Sequence, residues 1–286
     1  MTTRIDTVFA LVRDIASEKA QALQAAGAVL VQGDLDNADS LTSAFQSSNP
    51  TAVFLNIPPG PADRQVSHAR NIIAAAQSCP SVTTLIGSSS IVTGQHESFP
   101  GWSPQYITYD YWIGKELIET LVRDAGFASW TIVRLGFFFQ LLTPPMSTLM
   151  FPELWPAQSV DGGNVTRILR SAFKPDAKLP WVHGGDVGVI VAAALERPEE
   201  FKGRIIDLAG ELVTITELGE KIAKGTGEEV RVICSSEEQM AESLGPLAPR
   251  LIAAQLIFTE IQLGDDVGKT KNEFKLTSVE DFFPKF

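Results

Sequence analysis

Along the first two-thirds of the chain, short apolar runs alternate with helical patterns, the arrangement that parallel βαβ units produce. Val8 to Val12 is continuously apolar between polar residues and predicts a strand buried on both faces. Glu18 to Ala26 is rich in helix formers and stops at Gly27, a residue able to take the left-handed conformation after a helix. Further strands are expected at 28–31, 52–55, 82–86 and 130–135, and helices at 63–78 and 109–125. A short helix capped by Asp39 or Ser40 should run to Phe45. The second strand ends in Gly33-Asp34-Leu35, the third is stopped by Pro58-Pro59-Gly60, and the fourth ends in Gly87-Ser88-Ser89-Ser90. Residues 93–105, rich in Gly, Pro and Ser, read as a long loop of the kind that often carries function. Past Gly136, aromatic residues, Met146, Met150 and prolines crowd the chain as far as Pro156. Periodic signals return at 181–195 and 204–208, and Thr214-Ile215-Thr216-Glu217 reads as a capping box opening a helix to Lys224.

These elements predict an α/β fold with a doubly wound parallel sheet. The Rossmann-like core would span 1–136, with 181–225 returning to it, and 137–180 and 226–286 would form a small, mostly helical substrate lobe. With 44% apolar and 20% charged residues, the 286-residue chain has the material for a sizeable core and is not a disordered one. The longest apolar run, Val187 to Leu195, is far short of the roughly 20 residues of a membrane span. No signal-peptide pattern opens the chain, so a cytoplasmic protein is expected. The formal charge of −11 argues against nucleic acid as a partner. Cys79 and Cys234 read as separate buried thiols, and three histidines (His68, His96, His183) with no nearby cysteine give no metal-ligand spacing.

The candidate chemistry is Tyr111-Trp112-Ile113-Gly114-Lys115 on the helix at 109–125. Spacing of i, i+4 puts a phenol and an ammonium on one helix face, where the cation favours the phenolate and lets the phenol exchange a proton with a substrate oxygen. The spacing alone is a weak signal, equally met by a surface tyrosine and a solvated Lys115–Glu119 pair. Ser88 stands 23 residues upstream, in a serine cluster at the end of a parallel strand, where open α/β sheets bind ligands. His96 lies in the long loop, where it can face a ligand. The Phe137–Phe139 run is more often core than pocket, His183 reads as a structural histidine, and Arg13 as a strand-end arginine or a phosphate ligand.

In this order, Ala10-Leu11-Val12-Arg13-Asp14, Gln32-Gly33-Asp34-Leu35, Val53-Phe54-Leu55, Gly87-Ser88-Ser89-Ser90, Lys115-Glu116, Val133 to Phe138 and Trp181 to Leu195 resemble the NmrA-like family of atypical short-chain dehydrogenases/reductases. The resemblance covers about residues 5–225. It implies that Arg13 contacts an NADP 2′-phosphate, Asp34 and Leu35 lie by the adenine, Asn56 to Pro58 by the ribose and Lys115 by the nicotinamide ribose, that Ser88 is among the cofactor-binding residues, and that Gly136, Phe137 and Phe138 line the nicotinamide pocket and that of a small-molecule substrate. The family opens with a strand and a Gly-x-x-Gly-x-x-Gly turn that holds the pyrophosphate, and no such spacing occurs here. The nearest cluster, Gly184-Gly185-x-x-Gly188, precedes a late helix with Asp186 as its expected cap. Either the gene model starts late, or the protein has lost the pyrophosphate cradle and repaired the sheet whose central strand that unit supplies.

Three functions are compatible with these residues. The first is an NADP-dependent oxidoreductase acting on a small, largely apolar carbonyl or enone, with Tyr111 as acid, Lys115 tuning it and Ser89 or a neighbour holding the carbonyl oxygen. The second is a cofactor-independent acid–base isomerase, cyclase or rearrangement catalyst of secondary metabolism using the same pocket. The third is a non-catalytic regulator of the NmrA type.

Overall fold

The computed structural model describes residues 7–160, 164–245, 248–261, 263, 267 and 269–283. The strands are β1 (Phe9–Val12), β2 (Val29–Gln32), β3 (Ala52–Leu55), β4 (Thr84–Ser90), β5 (Ser129–Leu135), β6 (Phe137–Phe138), β7 (Gln158–Val160), β8 (Asn164–Ser171), β9 (Leu179–Val182), β10 (Arg204–Leu208), β11 (Glu211–Val213) and β12 (Glu229–Cys234). The helices are α1 (Glu18–Ala25), α2 (Ala38–Ser48), α3 (Ala62–Gln77), α4 (Tyr109–Asp124), α5 (Ser147–Met150), α6 (Gly184–Glu196), α7 (Pro198–Phe201), α8 (Ile215–Thr226), α9 (Glu237–Leu244), α10 (Ala248–Glu260), α11 (Thr270–Glu273) and α12 (Val279–Phe282). The chain divides into two units, one of Met1–Ser89, Asp110–Val133 and Val189–Ile206, the other of Ser90–Tyr109, Arg134–Gly188 and Asp207–Phe286. The alternation of β and α elements makes an α/β fold with parallel pairing, as the apolar periodicity predicts. Among the described residues, no helix is long and apolar enough to cross a membrane.

In the first unit β1 pairs with β2 in parallel, and a separate ladder runs in the order β10-β5-β4-β3, with β3 and β4 parallel. One face is covered by α2, α3 and α4. Leu41 and Phe45, then Ala69, Ile72, Ile73 and Ala76, then Ile118 and Val122, close over Leu55, Leu85 and Ile132 of the strands. Gly87 lets α4 approach β4, because a Cβ there would meet the Val122 side chain at 2.9 Å.

Two details of the first unit differ from the sequence reading. Asn37 caps α2, its side chain accepting from the amide of Ser40 at 3.0 Å, while Asp39 and Ser40 lie inside the helix. Asn37 holds the extended backbone a cap requires, and the Ser40 hydroxyl turns back to the Asp34 and Asn37 carbonyls. The serines do not follow the fourth strand but belong to it, since Ser88 and Ser89 are buried and the Ser88 hydroxyl finds an acceptor on the neighbouring strand.

The second unit holds two further ladders, β11-β9-β6 and β12-β8-β7. Residues 137–180 thus carry strands β6 to β9 beside short helices, and the helical content lies mainly in 226–286. The Thr214–Glu217 capping box forms in both directions. Asp186 is not the expected cap: it sits in the first turn of α6, and its carboxylate accepts from the amide (2.8 Å) and hydroxyl (2.9 Å) of Thr277, anchoring the C-terminal segment. Cys79 is buried, but Cys234 is exposed at the end of β12.

Gly136 faces the backbone of β9, where an added Cβ would clash with the Pro180 carbonyl oxygen. A backbone carbonyl cannot rotate away as a side-chain tip can, so Gly136→Ala should cost about 2 kcal/mol by overpacking. Thermal denaturation should show a fall of roughly 5 °C; an unchanged midpoint would contradict this packing.

Candidate active site

The site is built where β3 and β4 of the first unit end. After Leu55 the chain runs through Asn56, Ile57 and the Pro58-Pro59-Gly60-Pro61 turn into α3. Ile57 is buried and pins this segment, leaving Asn56 and Pro58 exposed. Ser88 of β4 orients Asn56: its hydroxyl donates to Asn56 Oδ1 at 2.9 Å and lies 3.3 Å from the Leu55 carbonyl. Gln65, buried in the first turns of α3, donates through Nε2 to the Gly60 carbonyl at 2.6 Å. Its Oε1 is buried and has no donor among the described residues, and an orphaned acceptor of this kind carries a desolvation cost of about 1–3 kcal/mol.

Helix α4 packs onto the start of α3 through Gly114, whose missing Cβ would lie 3.4 Å from Ala62 and 3.6 Å from Gln65 Nε2. One residue on, Lys115 places its ammonium over the ring of Tyr111, 5.6 Å from the centroid. Tyr111 is braced edge-on by Trp112, with centroids 5.0 Å apart and planes at 88°. Burial of Lys115 pushes its pKa below that of an ordinary lysine, and the carboxylate of Glu119 opposes the shift. The expected i, i+4 pairing is therefore present, with the cation over the ring face. A charge so placed attracts the π-system of the ring.

The remaining site candidates are placed as follows. Arg13 is exposed just past β1, where its carbonyl accepts from Gln32 Nε2 at 3.2 Å. Asp34 shapes its own turn, its carboxylate accepting from the amide of Asp36 at 3.0 Å, while the Leu35 carbonyl accepts from Asn71 at 2.9 Å. Ser89 is buried within β4. In the second unit, His96 is buried in a 3-10 turn, its ring 4.7 Å from that of Trp102, which in turn stacks on Tyr109. Phe137 packs among Phe173, Trp181 and Phe258, with centroids 4.9–5.7 Å away, and Phe138 is half-buried. The Trp181 indole N–H is buried there without an acceptor among the described residues. His183 is sandwiched by Phe139 and Phe282, in keeping with a structural histidine. No group of three or more potential metal ligands occurs among the described residues. Sequence reasoning missed Gln65 and Gly114; no local pattern marks either, since each matters only through the approach of α4 to α3.

Beside the site, the turn before α2 is tied to α3 by Asp36, which accepts from Arg64 Nη2 at 2.6 Å and lies 2.7 Å from His68 Nε2. The Arg64 hydrogen bond, then that of His68, lowers the Asp36 pKa to about 2. With the folded value below the unfolded one, its stabilisation is complete above about pH 4 and is lost as pH falls through about 2. Carboxyl chemical shifts in Arg64→Ala should show Asp36 titrating nearer the ordinary aspartate value; no movement would remove Arg64 as the cause.

The NmrA-like family model matches residues 4–283. An NmrA-like family domain-containing oxidoreductase, cpsB, of Aspergillus campestris is 25% identical over 244 residues, covering 82% of this chain and 69% of that protein. Among solved structures, the Citrobacter sp. triphenylmethane reductase complexed with NADP(H) matches with a TM-score of 0.72 at 15% identity, covering 98% of this chain and 90% of that one. NmrA, a negative transcriptional regulator in complex with NADP, matches at 0.71 and 18%, covering 96% and 86%. The Escherichia coli NADPH-dependent quinone oxidoreductase QOR2 matches at 0.67 and 22%, covering 98% and 90%. At these identities the likeness is one of fold.

Proposed function

The chain belongs to the NmrA-like family, and from that premise we propose that it is an NADP(H)-dependent oxidoreductase acting on a small, largely apolar carbonyl or enone compound. The observation that carries this reading is the half-buried ammonium of Lys115 over the Tyr111 ring. Reduction of a carbonyl leaves its oxygen in need of a proton, and Tyr111 supplies one, with Lys115 stabilising the phenolate that remains. Ser89 or Ser88 holds the oxygen. Of the reductases of the same fold, the quinone oxidoreductase supports a conjugated carbonyl as substrate, and the triphenylmethane reductase supports only a largely apolar one.

The residues present suit only part of the dinucleotide. Arg13 suits a 2′-phosphate by charge and exposure, Asp34 and Leu35 border the adenine end, and Asn56, oriented by Ser88, suits ribose hydroxyls together with Lys115. Pro58 shapes the turn beneath them, and the orphaned acceptor of Gln65 lies in the same region. The pyrophosphate finds no glycine-rich amide cradle in the sequence. Bound NADPH would supply hydride; this chain's own residues supply the proton and the hold on the oxygen. The same missing spacing favours a second reading, acid–base isomerisation or cyclisation without a dinucleotide, while a regulator of the NmrA kind would bind one without turnover.

Incubation with a panel of small quinones and enones at millimolar NADPH, followed by absorbance and product mass, separates the three. The oxidoreductase reading expects NADPH consumption matched by a product two mass units heavier. Conversion at constant mass without NADPH would replace it with the isomerase, and dinucleotide binding without any conversion would replace it with the regulator.

A further inference from the structure

In the second unit β11 is the outer strand of its ladder, paired with β9 on one side and, among the described residues, with no strand on the other. Its partner fixes where its backbone groups point. Glu211 stands opposite Trp181, and Leu212 opposite Pro180. The Trp181 carbonyl accepts from the Gly210 amide at 2.8 Å and so faces β11. The Pro180 carbonyl turns the other way, against Gly136, the residue before β6. Opposed residues of an antiparallel pair either bond to each other or both direct their N–H and C=O outward. Pro180 has no N–H to give, so the N–H and C=O of Leu212 point away from β9. Neither has a partner among the described residues.

A groove of about 540 Å³ follows this edge, lined on the strand side by Gly210, Glu211, Leu212 and Val213. Side chains of a strand alternate between its faces, so four consecutive lining residues put the groove beside the strand and not over one face. The opposite wall is formed by 271–278 and is held in place. Asp186 accepts from the amide and hydroxyl of Thr277, and the Glu211 carboxylate accepts from the Val279 amide at 3.2 Å. Phe274 and Leu276 give that wall a half-buried apolar surface. Lys221, Lys271 and Lys275 also line the groove. Glu211 is the one carboxylate among its described lining residues, and it already holds Lys221 at 3.1 Å. Lys271 and Lys275 are exposed and form no ion pair with a described residue, which leaves a cationic rim on a chain of formal charge −11.

We propose that this groove is a docking site for an extended acidic segment of a partner protein, which adds to the edge of β11 as a further strand. A strand brings both an N–H and a C=O, the complement of the pair that Leu212 holds out. A small carboxylate ligand would take the amide and leave the carbonyl unpaired. Alternation along the incoming strand gives it apolar side chains for Phe274 and Leu276 and carboxylates for Lys271 and Lys275. With three residues in β11, and one of them turned outward, backbone pairing is short and the lysines supply most of the selectivity. The groove uses no residue of the proposed cofactor or substrate site, so it stands apart from the oxidoreductase reading.

Fluorescence anisotropy of a labelled short peptide alternating aspartate and valine, titrated with the 286-residue chain, tests the proposal. Saturable binding is expected below about 1 mM. It should be about 10-fold or more tighter than for the same peptide with lysine in place of aspartate, against the order that the chain's net charge of −11 would impose. Lys271→Glu combined with Lys275→Glu, at two exposed positions where substitution spares the fold, should weaken it by about 10-fold or more. N-methylation of the peptide's amides should weaken it as much, and hydrogen exchange at the Leu212 amide should slow by about 10-fold or more in the complex. No saturable binding, or a preference for the lysine peptide, would overturn the proposal. Undiminished binding of the methylated peptide would overturn strand addition and leave charge attraction alone. Displacement of the peptide by succinate at comparable concentration would give the groove to small carboxylates instead. A dimer that the two lysine exchanges dissociate would give it to a second copy, and either result overturns the partner segment.

Discussion

Tyr111→Phe is expected to lower turnover by about 10²–10⁴-fold, the usual worth of a positioned proton donor, with little change in thermal stability because the ring and its edge contact with Trp112 remain. Lys115→Ala should act in the same direction. The double mutant should lose much less than the product of the two, since the ammonium acts through the phenol it lies over. The pH profile carries an independent check. Burial lowers the Lys115 pKa, so a rate that needs the ammonium should fall as pH rises through a value below the 10.5 of an unperturbed lysine. That limb should vanish in Lys115→Ala. Ser89→Ala should cost less, because it removes one hydrogen bond to the substrate oxygen and leaves the proton donor in place. Near-full turnover in Tyr111→Phe would leave the pair without a catalytic role.

NADPH is expected to bind the 286-residue chain no more tightly than the high-micromolar range. The family's glycine-rich turn offers backbone amides and a helix N-terminus to two phosphate charges, and this sequence contains no such spacing. Charge-assisted hydrogen bonds are worth about 1.5–3 kcal/mol each, so two missing ones weaken binding roughly 10²–10⁴-fold. A titration of tryptophan fluorescence or a calorimetric measurement reads this directly. A low-micromolar dissociation constant would overturn it and would make Arg13 the main phosphate ligand. Arg13→Ala should then weaken NADPH far more than NADH, because only NADPH carries the 2′-phosphate.

The register of most elements was legible in the chain because it depends on local pattern. The strand at Ala52–Leu55, the capping box at Thr214 and the Tyr111–Lys115 spacing each follow from residues within a few positions of one another. The family, too, was legible, since seven short stretches stand in its order. The sequence alone also revealed the missing glycine-rich turn, because a motif's absence is read by scanning the chain.

Tertiary structure alone decided what those residues meet. Asn56 is oriented by Ser88, 32 residues away, and the Asp186 carboxylate holds Thr277, 91 residues away, where a local reading gave it a cap. Gln65 and Gly114 gain significance only because α4 lies against α3. His96 left the list of open loop residues when the aromatic rings of its own loop closed over it. A sequence could show that a strand was unaccounted for, but not whether the sheet had closed over its place. Among the described residues β1 pairs with β2 and β3 with β4 in separate ladders, while the helices α2 and α3 pack against both strands in one core. Periodicity records which face of an element avoids water, and says nothing about which neighbour removes it.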